Sequence, residues 1–131
     1  MEFVSYELAK KLKEKGYPQR PDYFNYSSYY EWDGLRKIHS LCNASVWFDP
    51  NISRDNIYFA PTISQVLKWL RENYSIHIST KPYPCNDGIK WLYEIRKFNK
   101  YVSVVVANKS GFIKEEQAAL AGINCAFDNL I

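Results

Sequence analysis

Residues 62–78, TISQVLKWLRENYSIHI, change hydrophobic period partway along, and that change constrains the fold more than any other feature of the chain. Ile63, Val66, Leu67, Leu70 and Tyr74 fall at i, i+3, i+4, i+7 and i+11, which is one face of an α-helix. After Asn73 the period becomes two, so Ile76 and Ile78 point one way and His77 and Ser79 the other. Thr62 and Gln65 form a capping box, in which each side chain satisfies a backbone N–H of the first helical turn. Pro61 disfavours an earlier helical start. A capped helix therefore runs straight into a strand. Lys68, Arg71 and Glu72 lie off the apolar stripe and belong in solvent, while Trp69 sits on its flank, where the ring covers core.

The segment that follows reads as an antiparallel meander. Pro82, Pro84 and Asn86-Asp87-Gly88 predict a turn, IKWLYEIRKF a second strand, and YVSVVVA at 101–107 a third after a turn at Asn99-Lys100. Alternation assigns Ile76, Ile78, Trp91, Tyr93, Ile95, Val102, Val104 and Val106 to the inward face. It assigns His77, Ser79, Lys81, Lys90, Glu94, Arg96, Tyr101 and Ser103 to the outward face. Ile113, Leu120, Ile123, Phe127 and Leu130 then return to the helical period. Glu115 and Glu116 suit the positive end of that helix, which is expected to dock as a lid on the sheet.

In the N-terminal half, residues 4–15 predict a helix with Ser5 as N-cap, Leu8 and Leu12 one turn apart, and Gly16 as a left-handed C-cap before Pro18. Pro18 and Pro21 make 17–25 a loop. Asp33-Gly34 lies between two extendable runs and predicts a hairpin with strands near 27–32 and 35–41. Residues 42–57 are rich in Asn, Asp and Ser and read as a loop, anchored by the apolar island Val46, Trp47 and Phe48. The expectation is one α+β domain over 1–131, in the order α-β-β-α-β-β-β-α, with an antiparallel sheet packed against helices.

At 131 residues, with 47% hydrophobic and 17% aromatic side chains, the chain can fill a core without disulfides or a structural metal. No apolar run approaches the ~20 residues needed to cross a bilayer, and the N-terminus lacks the basic-then-apolar pattern of a leader. The expected location is the cytoplasm, with no membrane contact. Cys42, Cys85 and Cys125 are odd in number and form no C-x-x-C pair, so neither a disulfide framework nor a zinc site is indicated.

Recognisable catalytic patterns are missing. His39 and His77 show no H-x-H or H-E-x-x-H spacing, and the five glycines form no phosphate-cradling loop or nucleophile elbow. Cys42 and His39 are three apart on a predicted strand and so face opposite sides. No catalytic residue, metal ligand or cofactor is assigned, and the reading leans away from an enzyme.

Binding residues are easier to nominate. The outward sheet face offers His77, Lys81, Lys90, Arg96 and Tyr101, suited to stacking and anion contacts. The aromatic-rich segments 17–32 and 45–48 add Tyr29, Trp32 and Trp47, residue types that dominate interaction hot spots. A protein partner or a second copy of the chain is the expected ligand. One alternative is double-stranded RNA, because 62–130 reads helix–strand–strand–strand–helix, the element order of domains that recognise duplex RNA by shape and phosphate. Lys109 and Lys114 favour it, whereas Glu115 and Glu116 would repel phosphate. Another alternative is a small-ligand protein, for example for a nucleotide, or an enzyme without a familiar motif. The net charge of +3 and pI near 8.7 permit an acidic partner but lie below the pI above ~9 of a dedicated nucleic-acid domain.

APTISQVLKWLRENYSIHI, the strand with Trp91, Tyr93, Glu94 and Ile95, and the alanine-rich terminal helix together resemble a set of small proteins carried by bacteriophages and mobile elements of gut bacteria. The resemblance spans 5–131 and is firmest over 60–98. The terminal helix departs from it, reading EEQAALAGI in place of the EEAL-x-x-x-I of that set. The resemblance implies an accessory protein of unknown activity acting in the host cytoplasm, and it carries over no functional residue; the expectation adopted here is a small non-enzymatic binding protein.

Overall fold

The computed structural model describes residues 3–19, 27–32, 37–42 and 57–131, with side chains described over 3–19 and 58–131. It is an α+β structure with the elements α1 Tyr6–Glu14, β1 Ser27–Trp32, β2 Lys37–Cys42, β3 Ile57–Ala60, α2 Ile63–Tyr74, β4 Ile76–Cys85, β5 Gly88–Phe98, β6 Ser103–Phe112 and α3 Glu115–Asn129. The expected order holds, with one strand added: β3 falls at the end of the segment read as a loop. The strands form two three-stranded antiparallel sheets, β2-β1-β3 and β4-β5-β6. The chain divides into two compact units, Met1–Thr62 and Ile63–Ile131. No helix of the described residues is long and apolar enough to cross a membrane.

In the first unit, the Ser5 hydroxyl accepts from the Leu8 backbone N–H at 3.3 Å, which starts α1 as an N-cap should. At its other end the Gly16 N–H donates to the Lys13 carbonyl and the Tyr17 N–H to the Leu12 carbonyl, with Gly16 at φ 86°. That pair of bonds is a Schellman motif, which needs the left-handed backbone glycine adopts without strain. Val4, Leu8, Ala9 and Leu12 are buried. α1 packs on β3, where Tyr6 meets Tyr58 edge-on at 5.5 Å and the Lys13 ammonium lies 5.0 Å over the Tyr58 ring. The Gln19 side chain accepts from the Phe59 N–H and donates to the Tyr17 carbonyl, tying the chain after α1 to this strand. The β1–β2 register opposes Trp32 to Lys37, which supports the hairpin; its Asp33-Gly34 tip lies outside the described residues, as does the island at 46–48.

In the second unit, α3 lies across β4 and β5, and α2 packs beside it against β4. Ile63, Val66 and Leu70 of α2 are buried, as are Ile76, Ile78, Tyr93 and Ile95 on the sheet. Burial of each such side chain contributes about 1.5–3 kcal/mol, so this layer supplies most of the unit's hydrophobic stabilisation. Trp69 is half-buried, stacked on Phe127 and edge-on to Tyr74, as its flank position predicts. The buried face of α3 is Ala118, Ala119, Gly122, Ile123, Ala126 and Phe127, and these small residues let the helix approach the sheet closely. Ile113, expected in the helical stripe, precedes α3 and is 72% exposed.

Two further expectations are corrected. β4 continues through Pro82 and Pro84 to Cys85, and the turn is only Asn86-Asp87. β4 is an edge strand, and prolines two residues apart turn their nitrogens to the same side, so both can face the edge that carries no ladder. The second correction concerns β6. Val102, Val104 and Val106, assigned inward, are 55%, 54% and 40% exposed. Alternation along one strand cannot reveal how far a helix from elsewhere in the chain extends its cover, and the valines lie beyond that cover. Trp91 is half-buried.

Candidate functional site

The side of β4-β5-β6 away from Ile78 and Ile95 gathers the polar residues. Antiparallel register sets His77 opposite Arg96, Ser79 opposite Glu94 and Lys81 opposite Leu92, all on that face by alternation from the buried isoleucines. At its centre the Arg96 Nε–H donates to a Glu94 carboxylate oxygen at 2.6 Å, and the Lys81 ammonium stands 3.7 Å from the other oxygen. Arg96 also reaches the third strand, donating from Nη1 to the Ser103 hydroxyl at 3.2 Å. The Arg96 bond, and with it the Lys81 charge, holds the Glu94 carboxyl below the usual carboxylate range against the opposing effect of its desolvation. Glu94 is thus an anionic hub between two cations and remains ionised at neutral pH, unsuited to serve there as a proton donor.

Beside this hub lies an open depression of about 250 Å³ lined by Leu92, Glu94, Asn108, Lys109 and Ser110. It is smaller than the ~300–1,000 Å³ typical of small-molecule sites. His77 packs edge-on against Phe98 at 5.6 Å. Among the described residues, no three His, Cys, Asp or Glu side chains are placed to hold a metal ion.

The residues nominated from sequence separate. Lys81 and Arg96 come together around Glu94, while His77 stands opposite Arg96 in the register and packs against Phe98. Lys90 sits toward the β4–β5 turn, 3.8 Å from Asp87. Tyr101 is 84% exposed in the β5–β6 turn, where the Lys100 ammonium lies 5.5 Å over its ring and the Asn99 side chain accepts from its N–H. Tyr29 and Trp32 belong to β1 by their backbones, paired with Ser40 and Lys37, and Trp47 lies outside the described residues. Glu94, the hub itself, was read only as an outward residue, although Glu94-x-Arg96 on one strand face was the available signal.

Adjoining this face is β6, the other edge strand of the sheet. Val102, Val104, Val105 and Val106 are 39–55% exposed in succession around Ser103, a concentration of apolar surface at a strand edge. The β5–β6 register shifts between Ile95 and Arg96, whose partners are Ala107 and Val105, making Val106 the extra residue of a bulge. A second shift leaves Gly111 extra, at φ 99°.

The α2-β4-β5-β6-α3 order is the one noted for duplex-RNA readers. At the start of α3, however, Glu115 accepts from the Thr80 hydroxyl at 3.1 Å, placing a carboxylate at the helix end nearest the sheet. Comparison with protein-family models, curated proteins and solved structures returns no match to this chain.

Proposed function

We propose that the protein is a small non-enzymatic binding protein whose contact surface is the β6 side of its second unit, with the Glu94–Arg96–Lys81 cluster as a polar rim. The observation that carries this reading is the exposed valine run Val102–Val106. These valines leave much of their apolar surface in solvent, and a concentrated apolar patch is a recurrent mark of interaction sites. The cation–carboxylate cluster beside it gives directional contacts of the kind that rim such surfaces. Resemblance of 60–98 to phage and mobile-element proteins supports an accessory role in a host cytoplasm.

The test is affinity capture from bacterial lysate with the full chain and with Val105→Lys, followed by identification of what each retains. A defined protein held by the wild type and lost from the variant supports the reading. Identical retained sets sink it.

Duplex RNA is the second reading, favoured by the α-β-β-β-α order of the second unit. It requires affinity that falls steeply with salt and is lost in Lys109→Glu/Lys114→Glu. Absence of binding at low salt rules it out.

A further inference from the structure

We infer that the open edge of β6 pairs antiparallel with the same edge of a second copy of this chain, joining the two β4-β5-β6 sheets across a two-fold axis. This rests on the reading of β6 as the contact surface and names its partner.

The two edges of the sheet differ in chemistry. β4 carries Pro82 and Pro84, which have no N–H to offer an incoming strand. β6 has no proline, and no strand among the described residues pairs with its outer side. Natural sheets guard such edges with lysine, proline or inward charges. Tyr101–Asn108 contains no Lys, Arg, Asp or Glu.

That neutrality makes the segment compatible with itself. An antiparallel pair centred on Val104 opposes Val104 to Val104, Val102 to Val106 and Ser103 to Val105. The nearest lysines, Lys100 in the β5–β6 turn and Lys109 past the bulge at Val106, both lie outside this segment, so no like charges meet within it. β-Branched residues directly opposite one another stabilise antiparallel pairs. A slip by one residue would set backbone groups directed at the partner against groups directed away from it, so only registers two residues apart compete with this one. Neutrality therefore permits the contact, and the ladder sets the parity of its register. A two-fold arrangement closes on itself, since the same patch serves both copies.

The contact is short, because the bulge at Val106 ends the regular part of the edge. Its buried area falls below the ~1,200–2,000 Å² of a standard stable interface, which predicts a weak, concentration-dependent dimer.

Sedimentation of the full chain over a range from low to high micromolar tests this. The expected result is a mass rising from 15.4 kDa toward twice that value. Val104→Lys, which opposes two lysines across the axis, should stay at one chain's mass throughout with an unchanged circular dichroism spectrum. Ile89→Lys, at another exposed apolar position of the sheet, should dimerise like the wild type. If Val104→Lys does not fold, Ser103→Lys on the same exposed edge replaces it. A wild type monomeric at every concentration, or a dimer surviving the edge lysine, overturns self-pairing. A monomeric wild type that captures a defined protein through β6 overturns this inference alone, whereas a monomer whose edge variant retains the same lysate proteins overturns the β6 reading with it.

Discussion

A Cβ on Gly122 would stand 2.8 Å from Ile78 Cγ2 and 3.3 Å from two ring carbons of Tyr93, so α3 rests on the sheet at a separation only glycine permits there. Ile78 and Tyr93 are themselves buried beneath the helix and have little room to withdraw.

Gly122→Ala sets two effects against each other. Alanine is favoured over glycine in a helix by about 1 kcal/mol, while overpacking a filled core costs about 1–3 kcal/mol. The steric cost wins because the nearest atom belongs to a short branched side chain. We expect a net loss of up to about 2 kcal/mol in urea unfolding, the difference between those two effects. A stabilised variant would show that the helix lifts freely from the sheet.

Ser5→Ala removes the acceptor for the Leu8 N–H and should cost about 1 kcal/mol, the usual value of a lost N-cap. Ser5→Asp should retain most of the stability, because a carboxylate accepts the same bond and also favours the positive helix end. Thermal unfolding of the three proteins side by side distinguishes these outcomes.

Glu94→Gln tests the charged cluster through its pH dependence. The folded-state pKa of Glu94 is lowered, so its ionised form contributes stability that is present above the unfolded carboxyl pKa of ~4.3 and is lost as pH falls through the lower folded value. Wild type should exceed the variant near neutrality and converge with it in acid. Added salt should shrink the gap, since the cluster is open to solvent. A gap unchanged in acid would mean that shape, not charge, is what the glutamine disturbs.

Tyr93 gives the opposite limb. Burial raises its phenol pKa, and the neighbouring Cys125 thiol adds to the shift. The unfolded chain therefore ionises first as pH rises past ~10, and stability contributed by the neutral phenol is lost between that point and the folded value. Tyr93→Phe should show a shallower alkaline decline than the wild type when unfolding midpoints are followed from pH 8 upward. Parallel declines would assign the alkaline loss to other groups.

Which of these features could be read from the chain follows from their range. Ser5, Gly16 and the Ile63–Tyr74 stripe act within a few residues of themselves, so caps and period disclosed α1 and α2 directly. Ile57–Ala60 is too short to display a period, and its strand character depends on pairing with β1, far away in sequence. Pro82 and Pro84 look like strand breakers until β4 is known to be an edge. The three valines alternate as a buried set would, yet their exposure depends on where α3 ends its cover. Of the site, the residue types on the outward face were legible; the meeting of Glu94 with Arg96 and Lys81 required the register.

Pro82 and Pro84 have a consequence for assembly size. A sheet able to add strands at both margins has no rule for stopping and can grow into a fibre. Here the β4 margin of the β4-β5-β6 sheet carries two residues that cannot donate, so a copy joined through β6 leaves this sheet a poorer margin for the next strand. Strand addition through this sheet is thereby biased toward pairs and away from an open-ended polymer. Replacing both prolines would remove that bias, and open-ended aggregation would be its signature.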